Sequence, residues 1–295
     1  MPGQSQTPPK DPPAVGKELP GALLFLLHAG CFLLVVLYVN LFQAWAWLVA
    51  RLGQGVVASF LPVAVTLAVL LVIGFFFAHR VNRGYTINLI FIGLGMVGAF
   101  LALAVPDSSV PVKRIHVAEY IILSFLVRYT LSRRLRGADL TLFTALVTIL
   151  LGIHDEMLQG LHALRYYGWR DILVNGLAGL SGALLGHGLY CFVRPPRPGS
   201  AVRTGPVFSP GLVLLYLLLA AATVWLVVAL FLQRGGVFSI LSFLPLAAAS
   251  LLTLYRHPEY ILTTRRHHGL QAVWWLASAL PVYPLLANWT GREFL

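Results

Sequence analysis

Hydrophobic residues run along this chain in long blocks, separated by short groups rich in arginine, proline and glycine. Ten-residue stretches that alternate polar and apolar positions, as a membrane β-barrel strand requires, are absent from the sequence. A helix that crosses a bilayer needs about 20 apolar residues. Blocks near that length lie at 21–40, 56–78, 87–105, 116–132, 139–159, 171–193, 211–233, 237–255 and 269–288. The first block continues through Asn40 and Gln43 to Ala50, as a helix extension or a Trp-rich interfacial turn. The last contains Pro281 and Pro284, where a kink or re-entrant turn is expected. The pattern predicts an all-α polytopic membrane bundle with eight or nine transmembrane helices.

Composition agrees with that solvent. Hydrophobic residues make up 58% of the chain and charged ones 11%, where a soluble domain carries about 25% charged. In a bilayer only helices and closed barrels satisfy the backbone. The net charge of +11 would suggest nucleic acid in a soluble domain. Here the arginines sit in short loops, where they set topology and meet lipid headgroups, so lipids and not nucleic acid are the expected partners. With the N-terminus cytoplasmic, the loops on that side hold thirteen Lys and Arg against seven opposite, which favours this orientation. Residues 1–20, with six prolines, are expected to form a disordered cytoplasmic tail. Residues 194–210 form a Pro-rich loop between a transmembrane part at 21–193 and C-terminal helices at 211–295. Cys31 and Cys191 lie inside apolar blocks and are read as small hydrophobes.

The ten acidic residues change the picture, because Glu119, Asp155, Glu156 and Asp171 fall at three helix ends. The start of the fourth block, the end of the fifth and the start of the sixth share one membrane face by connectivity alone. The same ends carry Lys113, His116, Tyr120, Gln159, Arg165 and Arg170. Ionisable groups at membrane depth are costly and by default mark function. In the fifth block Thr141, Thr144, Thr148, Gly152, Asp155 and Gln159 recur at steps of three and four, which makes a polar stripe ending in the acids. In the sixth, Asp171, Asn175, Gly179, Gly182 and Gly186 share a face whose glycines admit a neighbouring helix closely.

The spacing Lys113-x-x-His116-x-x-x-Tyr120, Asp155-Glu156-x-x-Gln159, Arg165, then Asp171-x-x-x-Asn175 followed by glycines resembles the VanZ-like family, membrane proteins named after a teicoplanin-resistance protein. The resemblance spans about residues 87–192, making 87–193 a VanZ-like core flanked by additional helices at 21–86 and 211–295. Val112 stands where many members have Asp. The resemblance implies residence in the bacterial cytoplasmic membrane and envelope glycopeptide or lipid-related biology. It implies no particular reaction.

Read from the residues, Glu119, Asp155 and Glu156 are candidate acid/base or hydrogen-bonding groups. Lys113, Arg165 and Arg170 would hold anionic groups or balance the acids, and His116, Tyr120, Gln159, Asp171 and Asn175 would orient them. A basic rim suits a phosphate-containing or lipid-linked envelope precursor. The His116/Glu119 and His154/Asp155 pairs do not match zinc-ligand spacing, so no metal or cofactor is expected. Gly179-Leu180-Ser181-Gly182 has the form of a rhomboid-protease nucleophile but lacks a partner histidine on a later helix. The competing expectation is a non-catalytic accessory subunit, in which the cluster locks helices together beside other membrane proteins.

Overall fold

The computed structural model describes residues 21–107, 110–162, 165, 167–193, 209–233, 238–262 and 267–291. The expected tail at 1–20 and most of the Pro-rich loop lie outside them. The described chain is all helical, with no strand. Its helices are α1 (Gly21–Asn40), α2 (Phe42–Leu52), α3 (Leu61–Asn82), α4 (Leu89–Ala104), α5 (Ile115–Leu131) and α6 (Gly137–Gly160). The remainder are α7 (Trp169–Gly188), α8 (Pro210–Leu232), α9 (Leu244–Arg256), α10 (Pro258–Leu262), α11 (His268–Ala279) and α12 (Val282–Thr290).

Local chemistry sets several ends. Asn88 caps α4, its side chain accepting from the amides of Ile90 and Phe91 at 3.1 and 3.4 Å. Ser209 does the same for α8 through Leu212 N, with Pro210 at the first helical position. Gly137 enters α6 at φ +57, a left-handed backbone that favours glycine. Pro281 has no amide hydrogen, and the expected break in the last block falls there, between α11 and α12. The stretch after Asn40 forms a separate helix, α2.

Among the described residues, five helical stretches are long and apolar enough to cross a membrane, at Gly21–Asn40, Val56–Asn82, Gly137–Gly160, Pro210–Leu232 and His268–Thr290. The sequence pattern predicts more. The difference has a physical source. Helix α4 has 16 residues, α5 has 17 and α9 has 13, while α7 is rich in glycine and polar residues. More than half of the residues of α5 and of α7 are buried, so neighbouring helices cover much of each and less apolarity is demanded of them. The outer helices show the opposite pattern: Phe25, Leu71 and Ile90 each expose over 70% of their surface. Apolar exposure on this scale marks a surface that meets lipid.

Helix α7 is the axis of the core, packing on α4, α5 and α6. Glycines permit the approach. A Cβ on Gly182 would stand 2.6 Å from the Ser124 Cβ of α5, and one on Gly179 2.7 Å from the Thr148 Cγ2 of α6. Gly95 and Gly98 of α4 meet Leu185 and Ser181 in the same way. Thr144 and Thr148 turn their hydroxyls back to the carbonyls four residues earlier, which frees the α6 face for α7. The C-terminal helices join this core where α11 lies on α6, with Gly269 against the Phe143 ring.

Gly182→Ala is expected to destabilise the protein by about 1–3 kcal/mol through overpacking. Gly93→Ala, in α4 with nothing within 4 Å of its added methyl, should stay within about 0.5 kcal/mol. Thermal unfolding of the two variants in one detergent checks the difference.

Candidate functional site

Helix α5 supplies the first layer of the polar cluster. His116 and Glu119 lie three residues apart, so both project from one face, and His116 Nδ1 meets Glu119 Oε2 at 2.8 Å. One turn from His116, Tyr120 donates its hydroxyl to Asp155 Oδ2 at 2.9 Å. Lys113, in the single turn before α5 (Pro111–Arg114), pairs with Asp171 Oδ2 in the first turn of α7. The start of α5 is thus tied to α6 by Tyr120 and to α7 by Lys113.

The end of α6 carries the second layer. Asp155 and Glu156 are fully buried. Glu156 accepts from Gln159 Nε2 and from the Gly168 amide, both at 3.1 Å. Arg165 donates through Nε, at 3.1 Å, and through Nη2 to the Gln159 carbonyl oxygen. A relay runs from guanidinium to amide to carboxylate, so Arg165 acts on Glu156 only through Gln159. Asn175 reaches the Gly152 carbonyl at 3.5 Å, where a Cβ on Gly152 would stand 2.8 Å from that of Asn175. Three buried oxygens, Asp155 Oδ1, Asp171 Oδ1 and Asn175 Oδ1, have no hydrogen-bond partner among the described residues.

A cavity of about 410 Å³ opens beside the first layer. Lys113, His116, Glu119, Gln159 and Arg165 line its polar side. Its apolar side comes from the end of α1, from α2 and from the start of α3, through residues such as Tyr38, Trp45, Leu48 and Leu61. Tyr38 also donates to the Glu119 backbone carbonyl at 3.1 Å, which fixes α1 against α5. The cavity therefore has one charged, hydrogen-bonding wall and one apolar wall.

Ten of the eleven residues singled out by spacing converge here. Arg170 does not: it pairs with Asp107 at 3.0 Å on the rim, both side chains about half exposed. His154, beside Asp155 in sequence, turns the other way, toward the Tyr283 hydroxyl at 2.7 Å and the Leu276 carbonyl at 3.0 Å. Arg114 donates to the Leu103 carbonyl at the end of α4 and leaves the basic rim to Lys113 and Arg165. Sequence reasoning missed Tyr38, Trp45 and the Gly168 amide. Tyr38 and Trp45 had a legible signal, since polar and Trp-rich positions after Val36 fall on the same membrane face as the acids. The loop amide had none. Tyr167, in the same loop, donates to the Val227 carbonyl of α8 at 3.0 Å, and burial pushes its phenol well above the usual range, so it remains a neutral donor.

Among the described residues, no three His, Cys, Asp or Glu side chains are grouped to hold a metal ion. No family model, curated protein sequence or solved structure matches this chain.

Lys113→Met leaves the Asp171 carboxylate buried and unpaired, and is expected to cost about 2 kcal/mol. Adding Asp171→Asn removes the stranded charge, so the double variant should be more stable than Lys113→Met alone. Unfolding midpoints of the single and double variants provide the check.

Proposed function

We propose that this chain is a VanZ-like protein of the bacterial cytoplasmic membrane that binds an anionic, lipid-linked envelope compound in the cavity between α1, α2 and α5. The single observation behind this reading is the split character of that cavity. Its greasy wall suits a lipid chain, and its opposite wall presents Lys113, Arg165 and His116 to a phosphate-type head. In this reading the chain crosses the bilayer eight or nine times with its N-terminus in the cytoplasm, and the cavity lies in the outer half of the membrane.

The residue roles divide by depth. Glu119, His116, Gln159, Lys113 and Arg165 line the cavity and contact the ligand. Asp155, Glu156, Tyr120, Asp171 and Asn175 stand behind them and hold those groups in place. If the site performs chemistry, Glu119 is the carboxylate that reaches the head, and its hydrogen-bonded His116 is the group placed to exchange a proton with it.

The test uses undecaprenyl phosphate and undecaprenol as probes, with the purified full chain in nanodiscs of zwitterionic lipid and native mass spectrometry as the readout. The phosphate should bind at least tenfold more tightly than the alcohol, and Arg165→Gln should remove most of that preference without changing the unfolding midpoint. Equal binding of both probes, or an unchanged preference in Arg165→Gln, would sink the reading.

A further inference from the structure

The apolar wall of the cavity beside α5 is held differently from the charged one. It comes from a helical hairpin whose legs are α1 and α3 and whose tip is Phe42–Phe60, made of α2, a glycine turn and the π-helical turn Val56–Phe60. Away from the tip the legs are anchored. Val35, Tyr38 and Val39 of α1 and Thr66, Leu70 and Ile73 of α3 are buried, and Tyr38 is bonded to the Glu119 backbone. The tip lacks such anchors: among its described side chains only Val57 is buried. It packs on itself, α2 against Val56–Phe60, and on the turn Pro111–Arg114. A segment with so little buried surface lies at the low-stability end of a structure.

Both legs are interrupted where they meet the tip. On the first, Leu41 separates α1 from α2, and Asn40 turns its side-chain amide onto the Val36 carbonyl at 2.7 Å, competing with the backbone for that acceptor. On the second, the Leu61 amide reaches back five residues to the Val56 carbonyl, and Pro62 has no amide hydrogen to give. Thr66 then returns its hydroxyl to the Pro62 carbonyl at 2.9 Å. Prolines, π turns and side chains inserted into the hydrogen-bond ladder are the usual causes of helix bends. Leu41 and Leu61, one at each interruption, both line the cavity, so the two weak points lie at one level. At the far end Gly53, at φ +85, turns the chain from α2 into the π turn.

The cavity is divided along the same line. Ala44, Trp45 and Leu48 line it from the tip, whereas His116, Glu119 and Gln159 line it from the anchored helices α5 and α6. A swing of the tip would therefore remove the apolar wall and leave the charged wall intact. The outward side of α2 carries Trp47, 60% exposed, with the Arg51 guanidinium 5.7 Å from its ring centre. Trp and Arg are the residue types that settle in the headgroup layer, where such a swing would take place. We infer that Phe42–Phe60 is a hinged lid, bending at Leu41 and at Leu61–Pro62 to open the cavity sideways and admit the head of an anionic lipid from the bilayer. The identity of the entrant rests on the ligand proposed for that cavity; the hinge itself does not.

A pair of nitroxide labels reads the hinge directly. In the full chain with Cys31→Ala and Cys191→Ala, labels are attached at Ala46→Cys in the tip and Trp169→Cys at the start of α7, both exposed positions. The distance between them is measured by double electron–electron resonance in zwitterionic nanodiscs. Ligand-free protein should show two distances. Pro62→Ala restores the missing amide and should reduce the population of the longer distance at least threefold. Thr66→Val removes the returned hydroxyl, should act in the same direction, and carries the test if Pro62→Ala does not fold. Bound undecaprenyl phosphate should also favour the shorter distance. The inference is overturned by a single distance in the ligand-free protein, by two distances whose ratio these variants leave unchanged, or by phosphate that binds in native mass spectrometry without altering the ratio. Failure of the phosphate to bind at all sinks the ligand reading instead, and the ligand-free distances still decide the hinge.

Discussion

Everything at the polar face depends on how closely α7 can lie against α5 and α6. Gly179, Gly182 and Gly186 leave no side chain between the backbones, and their would-be Cβ positions are already taken by Thr148, Ser124 and Arg128. In hydrocarbon there is no hydrophobic drive to press helices together, so close backbone contact and shared hydrogen bonds carry the association. That approach brings Asp171 within reach of Lys113 and sets Asn175 on Gly152. A bulkier α7 would separate each of these pairs, and the carboxylates would be left in a low-dielectric interior without partners.

The cluster so formed has an order to it. Groups with direct access to the cavity are hydrogen-bonded in small sets, His116 with Glu119 and Arg165 with Gln159. Behind them Asp155 and Glu156 are sealed from solvent and tied to Tyr120, Gln159 and a loop amide. Among the described residues, three carbonyl or carboxylate oxygens of the cluster have no hydrogen-bond partner. The cavity lies directly beside this buried cluster.

Helix α1 links the two halves of the molecule. Its last turn, through Tyr38, is fixed to the Glu119 backbone, and its earlier turns carry His28 and Cys31. Phe32 lies edge-on to His154, the residue that turns away from the acids to meet Tyr283 of α12. The C-terminal helices therefore touch the same α6 turn that bears Asp155, and the additional helices at both ends of the chain are bound to the core rather than merely appended to it.

The membrane class, the helical fold and the gathering of polar residues at one face were all legible in the residue pattern. Each follows from local physics: the bilayer's demand for about 20 apolar residues, the 3.6-residue period that aligns Thr148, Gly152 and Asp155, and the connectivity that returns three helix ends to one side. The number of residues per helix was less legible. Shielding decides how apolar a helix must be, and shielding of α5 and α7 exists only once their neighbours are in place. Pairings were not legible at all. Nothing in the sequence says that Arg170 leaves the cluster for Asp107 while Arg165 stays, since both follow the same loop and differ by five positions. Nor does it place His28 against His268, 240 residues apart. Such contacts depend on distances between helices, and those distances are set by side chains of every packed element together.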